Sequence, residues 1–155
     1  FGIVDKWDLR VGLRRYASVV KDAEVRVDRR EEFRAWFDEL VGMRPVWLCP
    51  LRLREGPDGA RTWPSYPLAK ATTYINVGFW GTVHVGDAAH EAPTNRAIEK
   101  KVHELGGHKS LYSEAFYDPA TFHELYDGTN LAEVKRRYDP DNRLSTLYDK
   151  AVGRR

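Results

Sequence analysis

Apolar and polar residues alternate through "SVVKDAEVRV", with Val19, Lys21, Ala23, Val25 and Val27 on one side and Val20, Asp22, Glu24 and Arg26 on the other. Successive strand side chains point to opposite faces, so this spacing predicts a strand from about Ser18 to Val27. The period then becomes helical. In "RREEFRAWFDELVG", Phe33, Trp36, Phe37 and Leu40 recur at three- and four-residue steps, Asp28 stands where an N-cap belongs with Glu31 three residues on, and Gly42 supplies a stop. A second strand is expected over 45–53, with Trp47, Cys49, Leu51 and Leu53 opposing Val46 and Leu48; Pro50 lacks a ladder donor and favours an edge or a bulge. The Gly- and Pro-rich "REGPDGARTWPSYP" reads as a loop, and "FGIVDKWDLRVGLRRYASVV" as a lead-in with a short helical stretch around Trp7 and Val11.

The β-branched and aromatic run "TTYINVGFW" predicts a third strand from Thr72 to Trp80. Ile98, Val102 and Leu105 stripe a helix over 94–105 that Gly106 and Gly107 end. A fourth strand is expected over 108–116, a helix opening at Pro119 carries Phe122, Leu125 and Tyr126, and a last helix spans 131–138. The order is β-α-β, loop, β-α-β, then two helices. This is the split arrangement of a ferredoxin-like α+β sandwich, an antiparallel sheet with helices on one face plus C-terminal helices.

Helices on one face leave the other face of the sheet open. The side of each strand that does not complement the helices holds Trp47, Cys49 and Leu51 from the second strand, Tyr74, Asn76, Gly78 and Trp80 from the third, and Tyr112 and Glu114 from the fourth, where they alternate with Ser113. A hydroxyl, an amide and a carboxylate among broad aromatic surfaces suit a planar or lipid-like ligand, but an interdomain interface has the same composition, and partial solvent exposure is a third reading.

A chain of 155 residues suffices for one domain with one core, and its 42% hydrophobic and 31% charged content is that of an ordinary globular protein. The net charge of +2 is uneven, since 133–155 carry seven Lys/Arg against four Asp/Glu. That fits a basic tail meeting a phosphate or an acidic surface, or simply a solvated terminal helix. Basic residues are interspersed with acidic ones throughout, which argues against nucleic acid. The single cysteine excludes an intrachain disulfide and points to a reducing compartment. The five histidines lack metal-ligand spacing, so no metal is expected. No run of 18 apolar residues and no export signal is present, giving a cytoplasmic expectation with membrane association left open.

"VVKDAEVRV", "RPVWLCPLRL", "TTYINVGFWG", "LGGHKSLYSEAF", "FHELYDG" and "YDPDNRLSTLYDK" resemble, in order and spacing, the C-terminal part of flavin-linked oxidoreductases of the vanillyl-alcohol-oxidase superfamily, nearest to the sterol side-chain reductases typified by 24-dehydrocholesterol reductase. The resemblance implies a lead-in over 1–17, a ferredoxin-like cap, or substrate, domain over 18–117, and a helical return over 118–155 toward an FAD-binding domain that these residues do not contain. It implies FAD held mainly by that domain, NADPH as a candidate reductant, and a hydrophobic, sterol- or isoprenoid-like substrate. It further implies Tyr112 and Glu114 as proton donors, Trp47, Cys49, Tyr74, Asn76 and Ser113 as substrate- or flavin-facing, and Arg143 as a contact to a cofactor phosphate or an acidic domain surface. Asn76 replaces an aspartate of the sterol-reductase pattern. Ser113 replaces a functional lysine of the more distant decaprenylphosphoryl-ribose oxidase, which argues against the same sugar oxidation. Its own flavin domain is the expected partner and a homodimer is open. The alternative is a non-catalytic ferredoxin-like binding or oligomerisation module.

Overall fold

The computed structural model of the chain describes residues 16–54, 65–66, 68–85 and 92–152. The lead-in helix around Trp7 and most of the loop before Ser65 lie outside them. Strand β1 (Tyr16–Arg26) leads through a 3-10 turn (Val27–Arg29) into α1 (Arg30–Leu40); β2 (Trp47–Arg52) and β3 (Thr73–His84) follow, then α2 (Pro93–Glu104), β4 (His108–Lys109), α3 (Pro119–Leu125), α4 (Gly128–Tyr138) and α5 (Leu147–Ala151). The sheet runs β2-β3-β1-β4 with every neighbour antiparallel. This is the expected α+β fold, a ferredoxin-like sheet with C-terminal helices.

Register fixes the faces, because residues directly opposite each other share a side. Lys21 pairs with Phe79, Ala23 with Val77 and Lys109, and Val25 with Ile75. With Phe33 and Phe37 of α1, Ile98 and Val102 of α2 and Leu105 just after it, the apolar members of this set close the main core. Gly42 and Gly106 take positive φ at 61° and 64° as the chain leaves α1 and α2, a conformation glycine adopts without a Cβ clash. A second core joins Phe122, Tyr126 and Ala151 with Tyr117 and Tyr148, and the Tyr126 hydroxyl donates to the Lys109 carbonyl at 2.7 Å, tying the C-terminal helices to β4.

Four local expectations are corrected. Asp28 does not cap α1: the Arg26 guanidinium takes both its oxygens, at 3.0 and 2.8 Å, and Arg29 is the N-cap without a side-chain bond. Leu40 is exposed rather than part of the core stripe. The fourth strand stops at Lys109, and 110–116 turn away from the ladder after one more bond, Ser110 N–H to the Asp22 carbonyl at 3.1 Å. Among the described residues the C-terminal part holds three helices instead of two; the unanticipated α5 starts at a capping box of Thr146 and Asp149.

Candidate functional site

The face away from α1 and α2 is built in rows. Ser110 of the segment after β4, Asp22, Gly78 and Trp47 form one; His108, Glu24, Asn76 and Cys49 the next; Arg26, Tyr74 and Leu51 a third; Val20 pairs with Trp80 beyond the first. Trp47, Cys49, Tyr74 and Asn76 therefore share a face as expected, since the period of two carries through both strands. Trp47 (54% exposed) and Trp80 (59%) are its apolar wall. Gly78 makes the wall lie flat: a Cβ there would stand 3.1 Å from Trp47 Cε3 and 2.5 Å from Asp22 Oδ1.

The floor is polar and buried. Glu24 is 1% exposed and Asn76 6%. Asn76 Nδ2 donates to Glu24 Oε1 at 2.8 Å, and Ser110 Oγ–H donates to the same oxygen at 2.9 Å. Tyr66 closes one side, its hydroxyl 3.2 Å from Ser110 Oγ and its ring edge-on to His108. Burial pushes the Glu24 carboxyl above the usual carboxylate range, opposed by hydrogen bonds from Tyr66, Asn76 and Ser110. Burial likewise raises Tyr66, with Glu24 adding to the shift.

Tyr112 is 61% exposed and hydrogen-bonded to Asp22, so it joins this face although it lies outside the ladder. Burial raises both the Tyr112 and Asp22 groups; the Asp22 charge adds to the shift of Tyr112, and their hydrogen bond tempers that of Asp22. Tyr74 is sealed: Leu53 and Leu68 pack on it and its hydroxyl accepts from Ala69 N–H at 3.1 Å. Cys49 sits half-buried beside Asn76, its Sγ 3.8 Å from the Pro50 carbonyl oxygen.

Ser113 and Glu114 present their backbone to the opposite face. The Lys109 ammonium donates to the Ser110 and Ser113 carbonyls at 3.0 and 3.3 Å, and Lys21 donates to the Glu114 carbonyl. Both lysines meet Glu99 Oε1, at 3.0 Å from Lys21 and 3.9 Å from Lys109. Phe116 N–H donates to Glu99 Oε2 at 3.0 Å, so this buried cluster pins the segment that carries Tyr112. Burial, then the Lys21 charge, push the Lys109 ammonium down to about 7. Arg143 lies in the exposed turn after α4, where its backbone N–H donates to Asp139.

Glu24, Asp22, Ser110 and Tyr66 belong to the site but were not singled out from sequence. Alternation alone placed Glu24 and Asp22 on this face, where a polar strand position reads as solvated until the neighbours that bury it are known. Among the described residues no group of three or more His, Cys, Asp or Glu is placed to hold a metal, and no helix is long and apolar enough to cross a membrane.

The chain is 31% identical over 115 residues to a Caenorhabditis elegans Delta(24)-sterol reductase homolog, covering 73% of this chain and 21% of that protein. It is 24% identical over 132 residues to human Delta(24)-sterol reductase, 85% of this chain and 25% of that protein. Against the Arabidopsis thaliana Delta(24)-sterol reductase it is 23% identical over 145 residues, 86% and 26% of the two chains. The chain thus spans about a quarter of the length of these curated relatives. No protein-family model and no solved structure matches it. The relationship to the Delta(24)-sterol reductases is a distant, family-level one.

Proposed function

We propose that this chain is the substrate-binding cap portion of a longer FAD-dependent oxidoreductase acting on a hydrophobic, sterol- or isoprenoid-like substrate. The observation that carries this reading is the open sheet face, where a flat wall of Trp47 over Gly78 stands beside the buried Glu24–Asn76 floor. The sterol-reductase likeness supports it. These residues fit a planar ring lying on the face. They do not fit the dinucleotide end: in sequence neither "RVDR" before α1 nor "DAAHEA" before α2 is a glycine-rich loop of the kind that brings backbone N–H groups to a pyrophosphate. FAD is therefore assigned to a domain outside this chain, and when bound it supplies hydride chemistry at its ring.

The chain's own residues exclude water, orient and manage a proton. Trp47 and Trp80 cover apolar substrate, Cys49 lines the floor, and Asn76 holds the carboxyl beside it. Tyr112, set against Asp22, and Glu114, on the same pinned segment, are the surface-side proton donors, acting directly or through water. Arg143 is the candidate contact to a phosphate or an acidic domain surface.

The test is to add the purified chain to the purified FAD-binding domain and follow flavin fluorescence, then time re-oxidation of the reduced flavin by a side-chain-unsaturated sterol. Quenching that Trp47→Ala weakens, and re-oxidation that depends on the chain, are expected. Failure of both defeats the reading. Rates left unchanged by both Tyr112→Phe and Glu114→Gln exclude these two side chains from proton transfer.

A non-catalytic module is the second reading, favoured by the edge strand β2, which exposes Trp47 and Leu48. A concentration-dependent dimer by sedimentation that Leu48→Lys abolishes supports it.

A further inference from the structure

We propose that Glu24 is held as a neutral carboxylic acid, its Oε2 proton given to the Asn76 amide carbonyl, and that it is the proton store of the open face. Two buried acceptors, Glu24 Oε2 and Asn76 Oδ1, have no hydrogen-bond partner among the described residues. They are the two remaining oxygens of one pair, whose other half is the Asn76 Nδ2 bond to Glu24 Oε1. With the carboxyl ionised, two lone-pair-bearing oxygens are buried without a donor, and each then bears the full desolvation penalty of an unsatisfied polar atom. One proton on Oε2 satisfies both at once and closes an acid–amide ring of two hydrogen bonds.

The surroundings favour that state. On β1, Asp22 flanks Glu24 on the same face and adds negative charge; Arg26, the flanking cation, is engaged by Asp28. His108 stands opposite on β4, Asn76 opposite on β3 with Cys49 beyond it on β2, and Tyr66 comes from the loop. Neither a lysine nor an arginine makes an ion pair with Glu24 among the described residues, unlike Glu99 on the other side of the sheet.

The use of this proton rests on the flavin-dependent reading above. In reduction of an alkene, hydride from the reduced flavin forms one C–H bond and a proton forms the other. The Glu24 O–H bond breaks after the carboxyl turns its protonated oxygen to Ser110; Ser110 and Tyr66 each take one proton and give one, refilling, directly or through water, the surface-side donor that has given its own proton to carbon. At rest Ser110 donates the other way, so its hydroxyl reverses. The carboxylate left behind keeps the Asn76 Nδ2 donor.

The experiment is carbon-13 NMR of the chain labelled at its glutamate carboxyl groups, native against Glu24→Gln. One resonance is expected to keep the protonated position at about pH 7 and to be missing from Glu24→Gln. A native spectrum in which every glutamate carboxyl has ionised by about pH 6 overturns the proposal. Because the glutamine amide copies the neutral acid, Glu24→Gln is expected to fold, and its denaturant midpoint is expected to lack the native fall as pH rises above the ordinary glutamate value of 4.5; equal slopes also overturn it. Sterol-dependent flavin re-oxidation is expected to slow at least tenfold in Glu24→Gln. If the resonance is present and that rate is unchanged, the neutral acid stands and its role as proton store is overturned. A native chain that engages no flavin domain defeats the cap reading and this role with it, while the spectrum still decides the acid.

Discussion

The two faces of one sheet bury a glutamate each, and they solve its charge in opposite ways. Glu99, on the buried side of α2, meets the ammonium groups of Lys21 and Lys109 and the Phe116 amide. Glu24, on the open face, meets an amide and hydroxyl groups but makes no ion pair among the described residues. A buried charge is tolerable when an opposite charge and hydrogen bonds compensate its lost hydration, and a buried acid without them keeps its proton. The helix side is thus a structural clamp, and the open side retains unspent acidity. Breaking the clamp is expected to have the largest effect: Glu99→Gln leaves two buried ammonium groups facing each other and should cost about 3–5 kcal/mol in urea unfolding, while releasing 110–116. The same change at Glu24 should be close to neutral at about pH 7, and a similar loss at both positions would erase the distinction.

The comparison sharpens with pH. Lys109 falls from its ordinary 10.5 to about 7 in the folded chain, so between those values the unfolded chain binds more protons. Its contribution to stability is fully present at high pH and is lost as pH falls from about 10.5 through about 7. Lys21, lowered mainly by burial against the pull of Glu99, acts in the same direction. Glu24 is raised, so its contribution is present below the ordinary glutamate value of 4.5 and is lost as pH rises through its folded value. The opposed slopes are separable. Lys109→Met should remove part of the rise in urea midpoint above about pH 7, up to roughly 1.4 kcal/mol per pH unit, and leave the acid-side slope alone. A rise that persists in full assigns it elsewhere.

Much of this layout was legible as alternation. Trp47, Cys49, Tyr74 and Asn76 keep a period of two through continuous ladders, so their shared face followed from sequence. The pattern "HKSLYSEAF" keeps the same period where the backbone does not, because the Lys109 and Lys21 ammonium groups take the Ser110, Ser113 and Glu114 carbonyls. Two lysines 88 positions apart cannot announce that they converge. Asp28 was misread for a similar reason: it has the chemistry of a cap, but the planar fork of Arg26, two residues earlier, binds both oxygens first. Glu24 stayed unremarked because its burial depends on Tyr66 and Ser110, which reach it across long sequence separations.

The smallest expected effect falls on the wall of the open face. Gly78→Ala places a methyl group 2.5 Å from Asp22 Oδ1 and 3.1 Å from Trp47 Cε3. The carboxylate is a movable end and Trp47 is half-exposed, so both can turn aside, and the cost in stability should be only about 1 kcal/mol. The consequence for the face is larger than for the fold: the Trp47 ring lifts from the sheet and Asp22 moves from Tyr112, so tryptophan emission should shift and quenching by a flavin domain should weaken while far-ultraviolet circular dichroism stays unchanged. The helix face offers the matched control. At Gly107 a Cβ would meet the Glu24 carbonyl oxygen at 2.5 Å and that of Val102 at 2.9 Å, backbone atoms that cannot step away, so Gly107→Ala should destabilise the whole sheet edge. If the two substitutions cost the same, the open face is as tightly packed as the core and has no room for a ligand's ring.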